Sequence, residues 1–337
     1  MMAAATTEAR LSIDLGAIVA NWRLLCARHR GAVAGVVKAD AYGLGAAPVA
    51  RALQAAGCAH FFVAHAAEGV ALRAALGEGP MIAVLNGFPP SAAPGCTPVV
   101  NTPEMAQAWS GQGRVLLHVD TGMNRLGVPG LEGLPPLEIA YVMTHLACAD
   151  EPTHPLNETQ RARFEAVRAA LPGVPGSFAN SSGIFLGYDS ELARPGAALY
   201  GIAPAPGPNP LRCVLLLDAP ILQIRDVPAG ETVGYSATWR TARDSRIAIV
   251  AAGYADGYLR ALSGRGMGVL AGAPVPVVGR VSMDLTAFDI TGLPARAGDM
   301  ITLIGRHNPP DAVAAAAGTI GYEVLTSLGA RYRREYA

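Results

Sequence analysis

The sequence predicts an α/β fold: an N-terminal (β/α)8 barrel of the TIM type, then a C-terminal mainly antiparallel β domain. Three observations predict it. Short apolar runs alternate with helix-period segments through the first two hundred or so positions. Pro204, Pro206, Pro208 and Pro210 then crowd the stretch GIAPAPGPNPLR, residues 201–212, where no regular element can continue. Beyond it the texture becomes β-type runs punctuated by Pro and Gly.

Each element has its own reason. The runs AVAGVVKA (32–39), HFFVAH (60–65), MIAVLN (81–86), TPVVN (97–101), RVLLHVD (114–120), IAYVMTHL (139–146), GSFAN (176–180) and AALYGI (197–202) have the length and continuity of strands buried on both faces. Asp14 is placed to cap a helix over 15–30, Glu68 to begin one over 68–76, Thr102 with Pro103 to start 103–110, and Asn157 to open 157–171. The barrel domain is therefore assigned to residues 11–212 and the β domain to 213–337. LSIDL, within residues 1–15, is a candidate extra strand for the second domain, and DAVAAAAG (311–318) reads as an ordinary helix.

Bulk composition excludes several functions. Half of the 337 residues are hydrophobic, 15% are charged and the formal net charge is zero, so no basic footprint for nucleic acid or an anionic membrane exists. MMAAATTEAR is not a basic n-region followed by an apolar core, and the expected location is cytoplasmic. Cys26, Cys58, Cys96, Cys148 and Cys213 are scattered, without a CxxC pair, and His29, His60, His65 and His154 lack metal-ligand spacing. No metal site is expected, and small-molecule chemistry remains.

Lys38, in VVKADAYGLG (36–45), is the only lysine in a chain that otherwise uses arginine. Arginine serves wherever a fixed charge suffices; a lysine amine can lose its proton, form a Schiff base with a carbonyl and act as a base. Lys38 closes the first predicted strand, and active sites of such barrels collect at the C-terminal strand ends. Arg125 follows strand 5, His145 ends strand 6, Asn180 and Ser181 end strand 7, and Arg194-Pro195-Gly196 lead into strand 8. A lone amine among cations and phosphate-type donors points to a phosphorylated carbonyl cofactor, pyridoxal 5′-phosphate.

VVKADAYGLG, HVDTGMNRLG, MTHLACAD, ANSSG, RPGAALYGI, VGYSATW, GYADGY, GRVSMD and GYEVL occur in that order between residues 36 and 325. Together they resemble alanine racemase, a family of fold-type III pyridoxal phosphate enzymes. The resemblance implies a homodimer that interconverts L- and D-alanine through an aldimine of the cofactor, using two bases, and so supplies D-alanine for peptidoglycan. Lys38 would carry the cofactor and serve as one base, and Tyr235, from the second subunit, would be the other, with His145 as its hydrogen-bonding partner. Tyr42, Ser181 and Tyr322, with the N–H groups of Gly196 and Ala197, would hold the phosphate. Arg194 would donate to the pyridine nitrogen. Arg125 and the N–H of Met283 would meet the substrate carboxylate, and Tyr254 would stand at the entrance.

One departure stands out. Where many members carry a carbamylated lysine that holds the carboxylate-binding arginine, this chain has His118, so Arg125 is oriented by His118 itself, a bound anion or water. Two alternatives share much of this frame: a racemase of serine or of a broader set of amino acids, and a non-catalytic pyridoxal phosphate carrier. A carrier needs neither residues 213–337 nor Tyr235.

Overall fold

A computed structural model describes residues 7–337, which divide into two compact units. Leu15–Arg212 form the first. Its sheet runs through parallel strands β1 (in two pieces, Ala32–Val33 and Gly35–Val36), β2 (His60–Val63), β3 (Met81–Val84), β4 (Thr97–Val100), β5 (Arg114–His118), β6 (Glu138–Met143) and β7 (Gly176–Ser177). The eighth, β8, is Leu192–Ala193.

The break in β1 closes the ring. Its first piece pairs in parallel with β8, and its second pairs with β2. Backbone bonds from Ala32, Ala34 and Val36 N–H to the carbonyls of Glu191, Ala193 and Pro195 continue the seam, and Arg194 N–H donates to Ala179 O at 2.8 Å. Strand residues such as Phe61, Phe62, Ile82, Val99, Leu116 and Val142 have no exposed surface, which is why these runs carry almost no polar residues.

The predicted eighth strand, 197–202, is not a strand. Ala197–Tyr200 form a 3-10 turn, all four residues buried, and β8 lies just ahead of Pro195-Gly196. A buried apolar run of this length has the same texture in either state, so periodicity could not separate them. The candidate strand at LSIDL does join the second unit, since Arg10–Ile13 pairs in its sheet, and the first unit accordingly begins at Leu15 rather than at 11.

The helix Leu15–Arg28 buries Ala17, Ile18, Asn21, Trp22 and Leu25 along one face. Thr102 caps Pro103–Trp109 by accepting the Met105 N–H at 3.2 Å. Two starts differ from expectation. Ala66–Leu76 begins two residues before Glu68, which sits at its third position and closes a capping box with His65. Leu156–Ala169 begins after Pro155, while Asn157 turns inward, its side chain donating to Glu151 O.

In the second unit, Leu215–Val227 bends so that it pairs with Ser245–Val250 along one part and Met300–Ile304 along another. The sheet order through Thr286–Asp289, Ala273–Val278 and Met267–Leu270 joins those two partners, closing an antiparallel barrel. Arg10–Ile13 adds antiparallel to Leu215–Asp218 and parallel to Arg333–Tyr336. Pro310–Ala317 is the helix expected from the Ala-rich stretch. No helix of the described residues is long and apolar enough to cross a membrane.

Candidate active site

Lys38 does not close a strand. It opens a turn that runs in the left-handed sense: Ala39, Asp40, Ala41 and Tyr42 have φ of 52°, 53°, 54° and 56°. Left-handed helix costs L-residues about 1–2 kcal/mol each, so four in succession persist only where the surroundings impose them. The amide of Ala41 donates to Val37 O, and that of Gly45 to Asp40 O. The Asp40 carboxylate accepts from Ala46 N–H at 2.7 Å, and Glu68 Oε1 accepts from Ala39 N–H at 2.7 Å. The Tyr42 ring lies 4.7 Å from that of Tyr200, whose hydroxyl donates to Val36 O. A Cβ on Gly196 would stand 2.2 Å from the Tyr42 hydroxyl, so glycine is required for the approach.

The segments after β7 and β8 meet at Ser181. Its hydroxyl oxygen accepts from the amides of Gly196, at 3.1 Å, and Ala198, at 3.2 Å. Ser181 starts a short helix rather than ending β7, because the Asn180 side chain caps it through Gly183 N–H. Asp120 builds the DTGMNRLG loop by accepting from Gly122, Met123 and Asn124 N–H at 2.9 Å each, which brings Arg125 out to solvent.

Arg194 is 4% exposed and donates to Ser177 Oγ and Thr144 O. Among the described residues no carboxylate pairs with it; burial pulls its pKa down to about 10, still charged at neutral pH. Burial also lowers the Lys38 ammonium, Arg125 adds to this, and Glu68 opposes it. His145 is held well below its ordinary value by burial and then by Arg194, Arg125, Lys38 and His118, so it is neutral. Its carbonyl and the Ala147 N–H are bridged by the amide of buried Gln160, which also donates to Thr121. The result is a partly desolvated cationic cluster at the strand ends.

His118 ends β5, and its Nδ1 lies 2.8 Å from Asn101 Oδ1. The Asn101 amide nitrogen already donates to Leu85 O and Val99 O, so its oxygen is the acceptor and His118 Nδ1 carries the hydrogen. Nε2 is then left with its lone pair.

Burial, reinforced by Arg194, pushes the His118 pKa down to about 4. Between roughly pH 6.5 and that value the unfolded chain binds a proton that the native imidazole refuses. Stability is therefore complete above the unfolded pKa and falls as pH drops through the window. From pH 7 to pH 5 the ligand-free protein should lose about 2 kcal/mol more than His118→Gln does. Urea unfolding at the two pH values checks this, and parallel losses in both proteins would return His118 to an ordinary titration.

The remaining candidates belong to the second unit. Tyr235 lies in a 3-10 turn, Tyr235–Ala237, between two short paired strands, and is 70% exposed. Tyr254 opens Tyr254–Asp256, and its amide donates to Ser282 O while Ala255 N–H donates to Met283 O. A Cβ on Gly253 would stand 2.4 Å from both of those carbonyls, so a side chain there would separate the two segments. Arg331 ties them further, pairing with Asp256 and Asp284 at 3.1 and 2.8 Å. Tyr322 is half-exposed on Gly321–Thr326, a helix packed so closely that a Cβ on Gly257 would overlap Ser327 O. Glu68, Asn101 and Gln160 carry no sequence signal of this kind: their partners are main-chain groups or residues distant in the chain.

The sequence model of the alanine racemase N-terminal domain matches residues 13–204, and that of the alanine racemase C-terminal domain matches 214–336. An alanine racemase of Acidiphilium cryptum is 52% identical over 96% of this chain and 97% of its own. A protein of Mesorhizobium japonicum named alanine racemase, catabolic, is 48% identical over 98% and 94%. The crystal structure of alanine racemase from Bartonella henselae with covalently bound pyridoxal phosphate superposes with a TM-score of 0.93 at 40% identity, covering 98% of this chain and all of that one. With both domain matches in order and such likeness over nearly the full length, the chain belongs to the alanine racemase family.

Proposed function

We propose that this protein interconverts L- and D-alanine with pyridoxal 5′-phosphate carried on Lys38. The observation that carries this reading is the cationic cluster of Lys38, Arg125 and buried Arg194 beside neutral His145, with no carboxylate on Arg194. A site that buries the Arg194 guanidinium without a carboxylate, beside a partly desolvated Lys38, fits an anionic ligand with an acceptor for Arg194. The cofactor's phosphate and ring nitrogen have that character.

Ser181, Tyr42 and the N–H groups of Gly196 and Ala197 would hold the phosphate, with Tyr322. The cradle is tight, since glycine is required at 196 for the Tyr42 hydroxyl to reach it. Arg194 would donate to the ring nitrogen and leave it an unprotonated acceptor, because a guanidinium keeps its proton. The bound cofactor withdraws electrons from the substrate Cα, which makes its C–H acidic.

Racemisation then needs proton transfer on both faces of Cα. Lys38 moves the proton on one face, helped by its lowered ammonium pKa. Tyr235, from the second chain of a homodimer, acts on the other; its 70% exposure within its own chain leaves the phenol free to enter a partner's site. Neutral His145 donates to the phenol oxygen and stabilises the phenolate. Arg125 and Met283 N–H orient the substrate carboxylate, with Tyr254 at the entrance. The physiological role is supply of D-alanine for peptidoglycan, in the cytoplasm.

Purified protein given L-alanine in D2O tests the reaction. Optical rotation should decay to zero while deuterium enters Cα of both enantiomers. Retention of optical activity with no exchange would overturn the proposal.

A further inference from the structure

The left-handed turn after Lys38 has an anchor outside its own segment. Glu68 sits at the amino end of Ala66–Leu76, and its carboxylate accepts three main-chain hydrogens: Oε2 takes Ala64 N–H at 2.7 Å and His65 N–H at 3.0 Å, and Oε1 takes Ala39 N–H at 2.7 Å. A helix cap needs only the contacts of Oε2. The third reaches back to the amide next to Lys38, the first residue of the left-handed run.

Packing does not hold that side of the turn. A cleft of about 290 Å³, partly open to solvent, lies against it, bounded by Val37, Asp40, Ala46, Ala47, Val63 and Glu68. An unfavourable backbone beside an open cleft relaxes unless hydrogen bonds hold it. Two side-chain bonds do so here, from Asp40 within the segment and from Glu68 across to the next strand and helix.

We propose that Glu68 is a positioning residue for Lys38, its carboxylate clamping the Ala39 amide to the amino end of the next helix and so fixing the direction in which the lysine side chain leaves the barrel. The inference rests on Lys38 being the cofactor-bearing lysine. Glu68 also favours the protonated nitrogen on Lys38, since it opposes the depression caused by burial and Arg125.

Glu68→Gln tests it in the holoenzyme. The amide keeps the volume but has one acceptor oxygen, and its NH2 group must face an N–H on one side, so it cannot bridge both. It should lower kcat about 10- to 100-fold, the scale of a small misplacement of a reacting group, with little change in KM. The pH midpoint of the visible absorption of the lysine-bound cofactor should move down. Thr102→Ala, which removes a comparable cap from Pro103–Trp109, should lower the melting midpoint and leave both readouts alone.

Should Glu68→Gln lower only the melting midpoint, as Thr102→Ala does, with wild-type kcat and band midpoint, the residue is a cap and nothing more. Glu68→Ala extends the series, and if it fails to fold, the isosteric Gln variant decides alone. Borohydride labelling of wild type separates the two levels: cofactor fixed elsewhere than Lys38 overturns the underlying reading and this one together, whereas labelling at Lys38 with an unaltered Glu68→Gln overturns this one alone.

Discussion

Lys38→Arg will be inactive although it preserves the charge. A guanidinium neither condenses with the cofactor aldehyde nor returns a proton to Cα, so both functions proposed for this position disappear together. Loss of acid–base catalysis alone is worth about 10²–10⁴ in rate, and loss of the covalent attachment adds to that. Attachment can be read without assaying turnover. Borohydride should fix one cofactor per chain, and because Lys38 is the only lysine, trypsin should leave residues 31–51 as a single labelled peptide where the unmodified chain is cut after Lys38. A label recovered at the N-terminus, or none, would remove Lys38 from the chemistry.

Mixing two dead enzymes should restore activity. If Lys38 and Tyr235 of one site come from different chains of a two-fold dimer, a dimer of one Lys38→Ala chain and one Tyr235→Phe chain has one site with both lesions and one with neither. After random exchange of equal amounts, about half the dimers are mixed, each with one intact site of two, so activity should return to about a quarter of wild type. Were both groups supplied by one chain, every site would keep a lesion and mixing would restore nothing. Tagged subunits verify that exchange has occurred before a null result is read.

Much of this architecture was legible in the sequence, because the barrel strands are buried on both faces and leave continuous apolar runs. The misplaced eighth strand shows the limit: AALYGI is as apolar as a strand, and only the backbone bonds to Ser181 and the seam at Pro195 make 197–200 a turn. Lys38 stood out as the lone lysine, His145 and Arg194 drew their roles from the resemblance as well as from their place near predicted strands, and the charges acting on His145 bring the three into one cluster. Tyr235, Tyr254 and Tyr322 depended on resemblance, since an exposed phenol has no sequence signature. The left-handed turn could not have been foreseen. Ala39, Asp40, Ala41 and Tyr42 carry no glycine to announce positive φ, and the carboxylate that holds Ala39 lies 29 positions away.

The strand Arg10–Ile13 stands beside Arg333–Tyr336, with the whole first barrel threaded between them in the chain. On the ribosome this order has a cost in time. Synthesis at about 5–20 residues per second leaves the early strand without that neighbour for tens of seconds, long after the first barrel can have folded. The second barrel's sheet is thus completed only once Arg333–Tyr336 has been made, and until then its edge is open to other chains, which makes that wait the interval when a chaperone has most to protect.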